Sequence, residues 1–213
     1  MLKTSAEYRK DARMALRGHW GIAIVVTLLW TLIYTAISAS IILALILGGA
    51  LMVGLARAFI RLYRYGDMHV EDMFYGFYNG RFTNTISMYL QIILYTFLWS
   101  LLFVIPGIIA AYRYSMAHYI LMDHPEMTGS EAIEASKALM TGRKWKLFCL
   151  QFSFIGWYLL GALTFGILYI WIAPYETMAE AAFYDSIADE IGGVDREETT
   201  SEDTYNNTYD SGF

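Results

Sequence analysis

Charge is what this chain has least of. Only 16% of its 213 residues are Asp, Glu, Lys or Arg, while 57% are hydrophobic and the mean hydropathy is +0.40. A soluble domain carries roughly a quarter charged residues and just under half apolar ones, so this composition points to lipid surroundings. Cysteine is nearly absent too. Cys149 is the single one and lies in an apolar run, which excludes an intrachain disulfide and with it a secreted disulfide scaffold. No cleavable signal peptide is read, because the first 19 residues are too charged and the apolar run after them is too long for a signal core. The four histidines (His19, His69, His118, His124) have no metal-ligand spacing, and HExxH, GxSxG and Walker-type motifs are missing. No catalytic residue, cofactor site or metal site is expected, and the chain is read as a non-enzyme.

The net charge of −5 is unevenly spread. From Asp185 to Phe213 lie nine of the 20 acidic residues but only one of the 15 basic ones, Arg196, so the body before that tail keeps 14 basic and 11 acidic residues, net +3. Residues 191–213 are polar and acidic with few large aliphatics, and are expected to form a disordered tail.

Long uncharged runs dominate the rest. Residues 3–17 predict a basic amphipathic helix at the membrane surface: Thr4 and Glu7 have capping-box spacing, Ala12, Ala15, Leu16 and Trp20 share one face, and Lys10, Arg13 and Arg17 face water or headgroups. Then come 39 residues (18–56) without Asp, Glu, Lys or Arg, 31 more at 82–112 and 29 at 147–175. One helical crossing takes about 20 residues. Basic residues of short loops stay on the cytoplasmic side, and single crossings would put Arg113, Lys137, Arg143, Lys144 and Lys146 outside. Folding each run back on itself avoids this, with turns at Pro106-Gly107, at Thr164-Phe165-Gly166, and at either Ser38–Ser40 or Gly48-Gly49. Residues 128–146 predict a second amphipathic helix with Thr128 and Glu131 at capping-box spacing, and 66–80 look interfacial.

Three features recur. Gly18, Gly80 and Gly142 are 62 residues apart; Gly48 or Gly49, Gly107 and Gly166 are 58 or 59 apart; ALRGHW echoes ALMTGRKW. These suggest a single membrane domain, 1–190, built of three repeats (3–66, 67–123, 128–190), and they favour the turn at Gly48-Gly49. On that turn assignment, Arg57, Arg113 and Glu176 lie roughly 9–15 Å below the outer surface at 1.5 Å per residue. A lone charge there costs at least about 2.5–3.5 kcal/mol. The three therefore form a candidate intramembrane polar cluster, with Arg113 and Glu176 as its pair.

The stretches LWSLLFVIPGIIAAYRYSMAHYIL, EAIEASKALMTGRKWKLF, SFIGWYLL and PYETMAEAAFY resemble a bacterial integral-membrane family catalogued as domain of unknown function 975. The resemblance runs from Leu2 to Tyr184 and implies a protein of the bacterial cytoplasmic membrane, without bringing an activity. The expectation is an all-α polytopic membrane protein with six transmembrane helices in three hairpins, linked by interfacial amphipathic helices, both termini cytoplasmic. Its expected role is non-enzymatic, in the envelope or membrane homeostasis. The alternative is a small transporter or channel using the Arg/Glu site. The bilayer, further copies of itself or other membrane proteins are the expected partners, and nucleic acid is not.

Overall fold

The computed structural model describes the backbone of residues 3–78 and 81–209, and their side chains except at 81, 102, 190 and beyond 191. Its elements are α1 (Ser5–Ala15), α2 (Trp20–Ser38), α3 (Ile41–Tyr65), a 3-10 helix (Val70–Phe77), α4 (Arg81–Leu102), α5 (Val104–Tyr114), α6 (Ala117–Asp123), α7 (Gly129–Leu139), α8 (Lys144–Phe152), α9 (Ile155–Leu163) and α10 (Tyr169–Tyr209). No strand occurs among the described residues. Over the described residues the fold is all-helical, as the long uncharged runs predict. The acidic tail expected over 191–213 falls, beyond Ile191, outside the described side chains.

Three antiparallel helix pairs organise the chain. In the first, the Trp30 indole N–H donates to the Leu51 carbonyl across α2 and α3 at 3.2 Å. In the second, Tyr95 of α4 meets Tyr114 of α5 with ring centroids 6.1 Å apart. In the third, the Tyr169 hydroxyl of α10 donates to the Tyr158 carbonyl of α9 at 3.2 Å. Trp20–Ser38, Ile41–Tyr65 and the α8–α9 stretch Lys144–Leu163 are each long and apolar enough to cross a bilayer. Outside and inside are both apolar: Leu32, Ile41, Leu101, Val104 and Leu163 are exposed, while Phe59, Met73, Met88, Ile120 and Phe183 form the core. Water would not tolerate such a surface; hydrocarbon would.

The turns are where sequence and structure part. The first lies at Ala39-Ser40, so the Gly48-Gly49 turn is overturned. Those glycines sit inside α3 because α4 needs their room, the Tyr89 ring at Gly48 and the backbone at Gly49. A Cβ at Gly49 would meet the Thr85 carbonyl oxygen of α4 at 2.5 Å, and one at Gly54 would meet that of Met73 at 1.8 Å. Small residues here let helices approach closely, as expected where packing replaces the hydrophobic effect. The second break falls at Phe103, whose backbone is extended, three residues before Pro106. Pro106 lies in the first turn of α5, where its missing N–H costs nothing. Gly107 instead provides close approach, since a Cβ there would meet the Ser100 hydroxyl at 2.2 Å. The third turn is where the sequence puts it: Phe165 (φ 52°) and Gly166 (φ 86°) are both left-handed.

Both amphipathic helices form with the expected caps, but the second is shorter than expected over 128–146: α7 ends at Leu139, and Lys144–Lys146 begin α8. Thr4 and Thr128 each accept a hydrogen bond from the backbone N–H three residues on, and Glu7 and Glu131 reach back to the cap N–H at 2.6 and 2.7 Å. Gly18 and Gly142 follow α1 and α7 with φ of +81° and +76°. Neither helix merely lies on a surface. Tyr8, Ala12 and Leu16 are buried, the Tyr8 hydroxyl is 2.8 Å from that of Ser186, and Arg9 donates to the Ser153 carbonyl at 2.9 Å. On α7, buried Ser136 donates to the Arg113 carbonyl (2.9 Å) and accepts from the Met116 N–H (3.3 Å), which stitches the break between α5 and α6.

Candidate functional site

Two recesses carry most of the polar chemistry. The first follows the i, i+4, i+7 row of arginines at the end of α3. Arg57 donates to Asp72 (3.2 Å) with its guanidinium 3.8 Å from the Tyr75 ring centroid. Arg61 pairs with Asp67 (2.9 Å) and, more loosely, with Asp72 (3.4 Å). Arg64 holds Asp123 with both terminal nitrogens (2.8 and 2.9 Å) and donates through Nε to Asp185 (2.5 Å). Tyr184 donates to Asp123 as well, at 3.0 Å. Four carboxylates thus face three guanidinium groups, and the three arginines with Asp67 and Asp123 line a recess of about 460 Å³. A basic stripe in the sequence becomes a neutralised clamp in the fold, joining α3, the 3-10 helix, the end of α6 and α10. Such two-pronged arginine–carboxylate bonds fix geometry strongly, and no positive charge is left over to attract an anion.

The expected cluster of Arg57, Arg113 and Glu176 is not assembled. Because the first turn is at Ser40, Arg57 lies 17 residues into α3, about 25 Å along it, and is taken up by the clamp. Arg113 is half-buried near the end of α5, and among the described residues no carboxylate lies within ion-pair distance of it. Glu176 accepts a hydrogen bond from the Tyr158 hydroxyl of α9. The pairing of Arg113 with Glu176 is therefore corrected: the two charges satisfy separate partners or none.

One turn beyond Glu176 lies the residue that sequence reasoning missed. Glu180 accepts from the Gln151 amide at 2.7 Å, and Gln151 in turn accepts from the Tyr112 hydroxyl at 2.6 Å, a polar chain across α10, α8 and α5. Two signals for it were in the sequence. Gln151 is a lone amide in an uncharged run, and Glu180 stands at i+4 from Glu176, on the same helical face.

Glu180 and Gln151 form the polar end of the second recess, a cavity of about 490 Å³ between α4, α5, α8 and α10. Most of its wall is apolar or aromatic: Met52, Met88, Met116, Tyr89, Phe97 and Tyr114, with His118 and Thr96 adding polar atoms. Phe97 and Ile93, which line it, are also exposed, so it opens through the outer face of α4. The Thr96 hydroxyl is buried without a hydrogen-bond partner. The volume lies within the roughly 300–1,000 Å³ of small-molecule sites, and an apolar wall with a few convergent polar groups is their usual make-up. Among the described residues no group of His, Cys, Asp and Glu is placed to hold a metal ion.

No curated protein and no solved structure matches the chain. A family does, over residues 1–110 and 101–190, and it covers the helix pairs, the clamp and the cavity. The chain belongs to the family described as protein of unknown function (DUF975).

Proposed function

We propose that this is a non-enzymatic protein of the bacterial cytoplasmic membrane that holds an amphiphilic small molecule, drawn laterally from the bilayer, in the cavity beside α4. The observation that carries this reading is the cavity itself: about 490 Å³, apolar for most of its wall, polar at Glu180 and Gln151, and open through exposed Phe97 and Ile93. A role in envelope or membrane homeostasis fits a protein that samples the contents of its own bilayer. In this reading each helix pair crosses the membrane, for six crossings with both termini cytoplasmic, and the units 3–66, 67–123 and 128–190 descend from one ancestral element. The shared cap-helix-glycine sequence at Thr4–Gly18 and Thr128–Gly142 supports that descent. The exposed aliphatic faces of α2 and α4 meet lipid, further copies or other membrane proteins.

Titration of the purified protein with the neutral fluorescent probe N-phenyl-1-naphthylamine tests the site. Saturable binding of one probe per chain is expected, weakened by Thr96→Phe, which sets a bulky ring into the cavity wall. Binding that does not saturate, or that is unaffected by the substitution, overturns the reading. Glu180 in the cavity wall also favours the alternative of a small transporter, with the polar site moved there from Arg113 and Glu176. Uptake of the bound molecule into vesicles containing the protein would select that alternative.

A further inference from the structure

We infer that the cavity selects a lipophilic organic cation, a proposal that rests on the cavity being a binding site and adds the sign of the charge it takes. The argument starts from the charges on its wall. Among the described residues Glu180 is the one carboxylate lining it, and no lysine or arginine does. Lys137, which stands 5.9 Å from the centroid of the Tyr114 ring, is paired with Glu134. A carboxylate offers about four lone-pair positions, and Glu180 accepts a hydrogen bond from the neutral Gln151 amide. A cationic ligand would add the counter-charge this arrangement lacks.

The remaining wall suits the body of such a ligand. Tyr89, Phe97 and Tyr114 present aromatic rings, whose faces attract cations, and this attraction strengthens where water is excluded. Met52, Met88 and Met116 contribute flexible, polarizable side chains that re-pack around varied apolar shapes. An anion meets the opposite: repulsion from Glu180 and from the ring faces, with no lysine or arginine among the described lining residues to receive it. The arginine recess offers no competing site, because its guanidinium groups are matched by Asp67, Asp72, Asp123 and Asp185.

Tetraphenylphosphonium and tetraphenylborate are nearly identical in shape and opposite in charge, so they separate charge from fit. Equilibrium dialysis of the full-length protein in neutral detergent is run at pH 8, above the ordinary imidazole pKa of about 6.5, so that His118 does not contribute a charge. The expected result is one saturable phosphonium site per chain, at least about tenfold tighter than any saturable borate site, a factor equal to about 1.4 kcal/mol. Glu180→Gln should weaken phosphonium binding about tenfold, and Glu176→Gln, outside the cavity, should leave it within about twofold. Equal or tighter borate binding overturns the charge selectivity while the cavity reading stands. Saturable binding of neither ion, or binding unaffected by Thr96→Phe, overturns both. A tightly retained bilayer lipid that phosphonium cannot displace also overturns the proposal. The opposite-charge comparison on the unmodified protein needs no variant, so a folding defect in Glu180→Gln would not leave the question open.

Discussion

Gly54 and Gly21 are the same residue in neighbouring helices, yet they carry opposite expectations. A methyl group on Gly54 would sit 1.8 Å from the Met73 carbonyl oxygen, whereas one on Gly21 meets nothing within 4 Å. Gly54→Ala should therefore force α3 and the 3-10 helix apart and destabilise by about 1–3 kcal/mol. Gly21→Ala should be neutral or gain up to about 1 kcal/mol from helix propensity. Thermal unfolding in detergent distinguishes them, and equal melting temperatures would refute the close packing. A glycine in an apolar run can mark a turn or a close approach, and the choice depends on a partner that sequence spacing does not name. That is why Gly48-Gly49 was misread while Thr164–Gly166 was not: in the latter the left-handed residues follow one another at the break itself. For Glu180 the two sequence signals, the lone Gln151 amide and the i+4 spacing from Glu176, do not name the partner either. Glu176 bounded the uncharged run, and only the packing of α8 beside α10 shows that the next turn faces the cavity.

At the scale of elements, α7 offers a pH-dependent test. The Thr128 backbone N–H, then its hydroxyl, bond to the Glu131 carboxylate and hold its pKa below the ordinary 4.5. A lowered folded pKa means that the stabilisation is present above 4.5 and is lost as pH falls through the lower folded value. Hydrogen exchange at the Thr128 and Glu131 amides should be slow and flat above the ordinary 4.5 once corrected for intrinsic rates, and protection should fall as the pH drops through the lowered folded value. Glu131→Gln should remove that acid-side loss; an unchanged profile would show that the cap is not the titrating element. The clamp between α3, α6 and α10 gives a second prediction. A double-mutant cycle of Arg64→Ala and Asp123→Ala should show a coupling of about 0.5–3 kcal/mol, since both side chains are largely buried and share two hydrogen bonds. The charge swap Arg113→Glu with Glu176→Arg should recover nothing over the single changes, because these two residues form no ion pair. Recovery by the swap would restore the pair that the fold separates.

For the whole molecule, the six-crossing arrangement is tested by placing single cysteines at Ala39, Phe103 and Phe165, the three helix-pair breaks, in a Cys149→Ala background. All three should react with a membrane-impermeant thiol reagent added outside intact cells, and a cysteine at Asp67 should react only after permeabilisation. Protection at any of the three breaks would remove that pair from the crossing count. What the sequence determined by itself is the apolar composition with helices long enough to cross a bilayer, the all-helical class, the capped starts of the two amphipathic helices and the last turn. These follow from composition, 3.6-residue periodicity and short-range capping, all of them local properties of the chain. Which glycines turn and which pack, which carboxylate meets which arginine, and where a cavity remains were decided by tertiary structure. The partners involved are far apart in the chain: Arg64 and Asp185 are separated by 121 residues, and Tyr8 and Ser186 by 178. Their meeting depends on how the helix pairs dock, and docking is set by shape complementarity between whole helix faces, which no local pattern encodes.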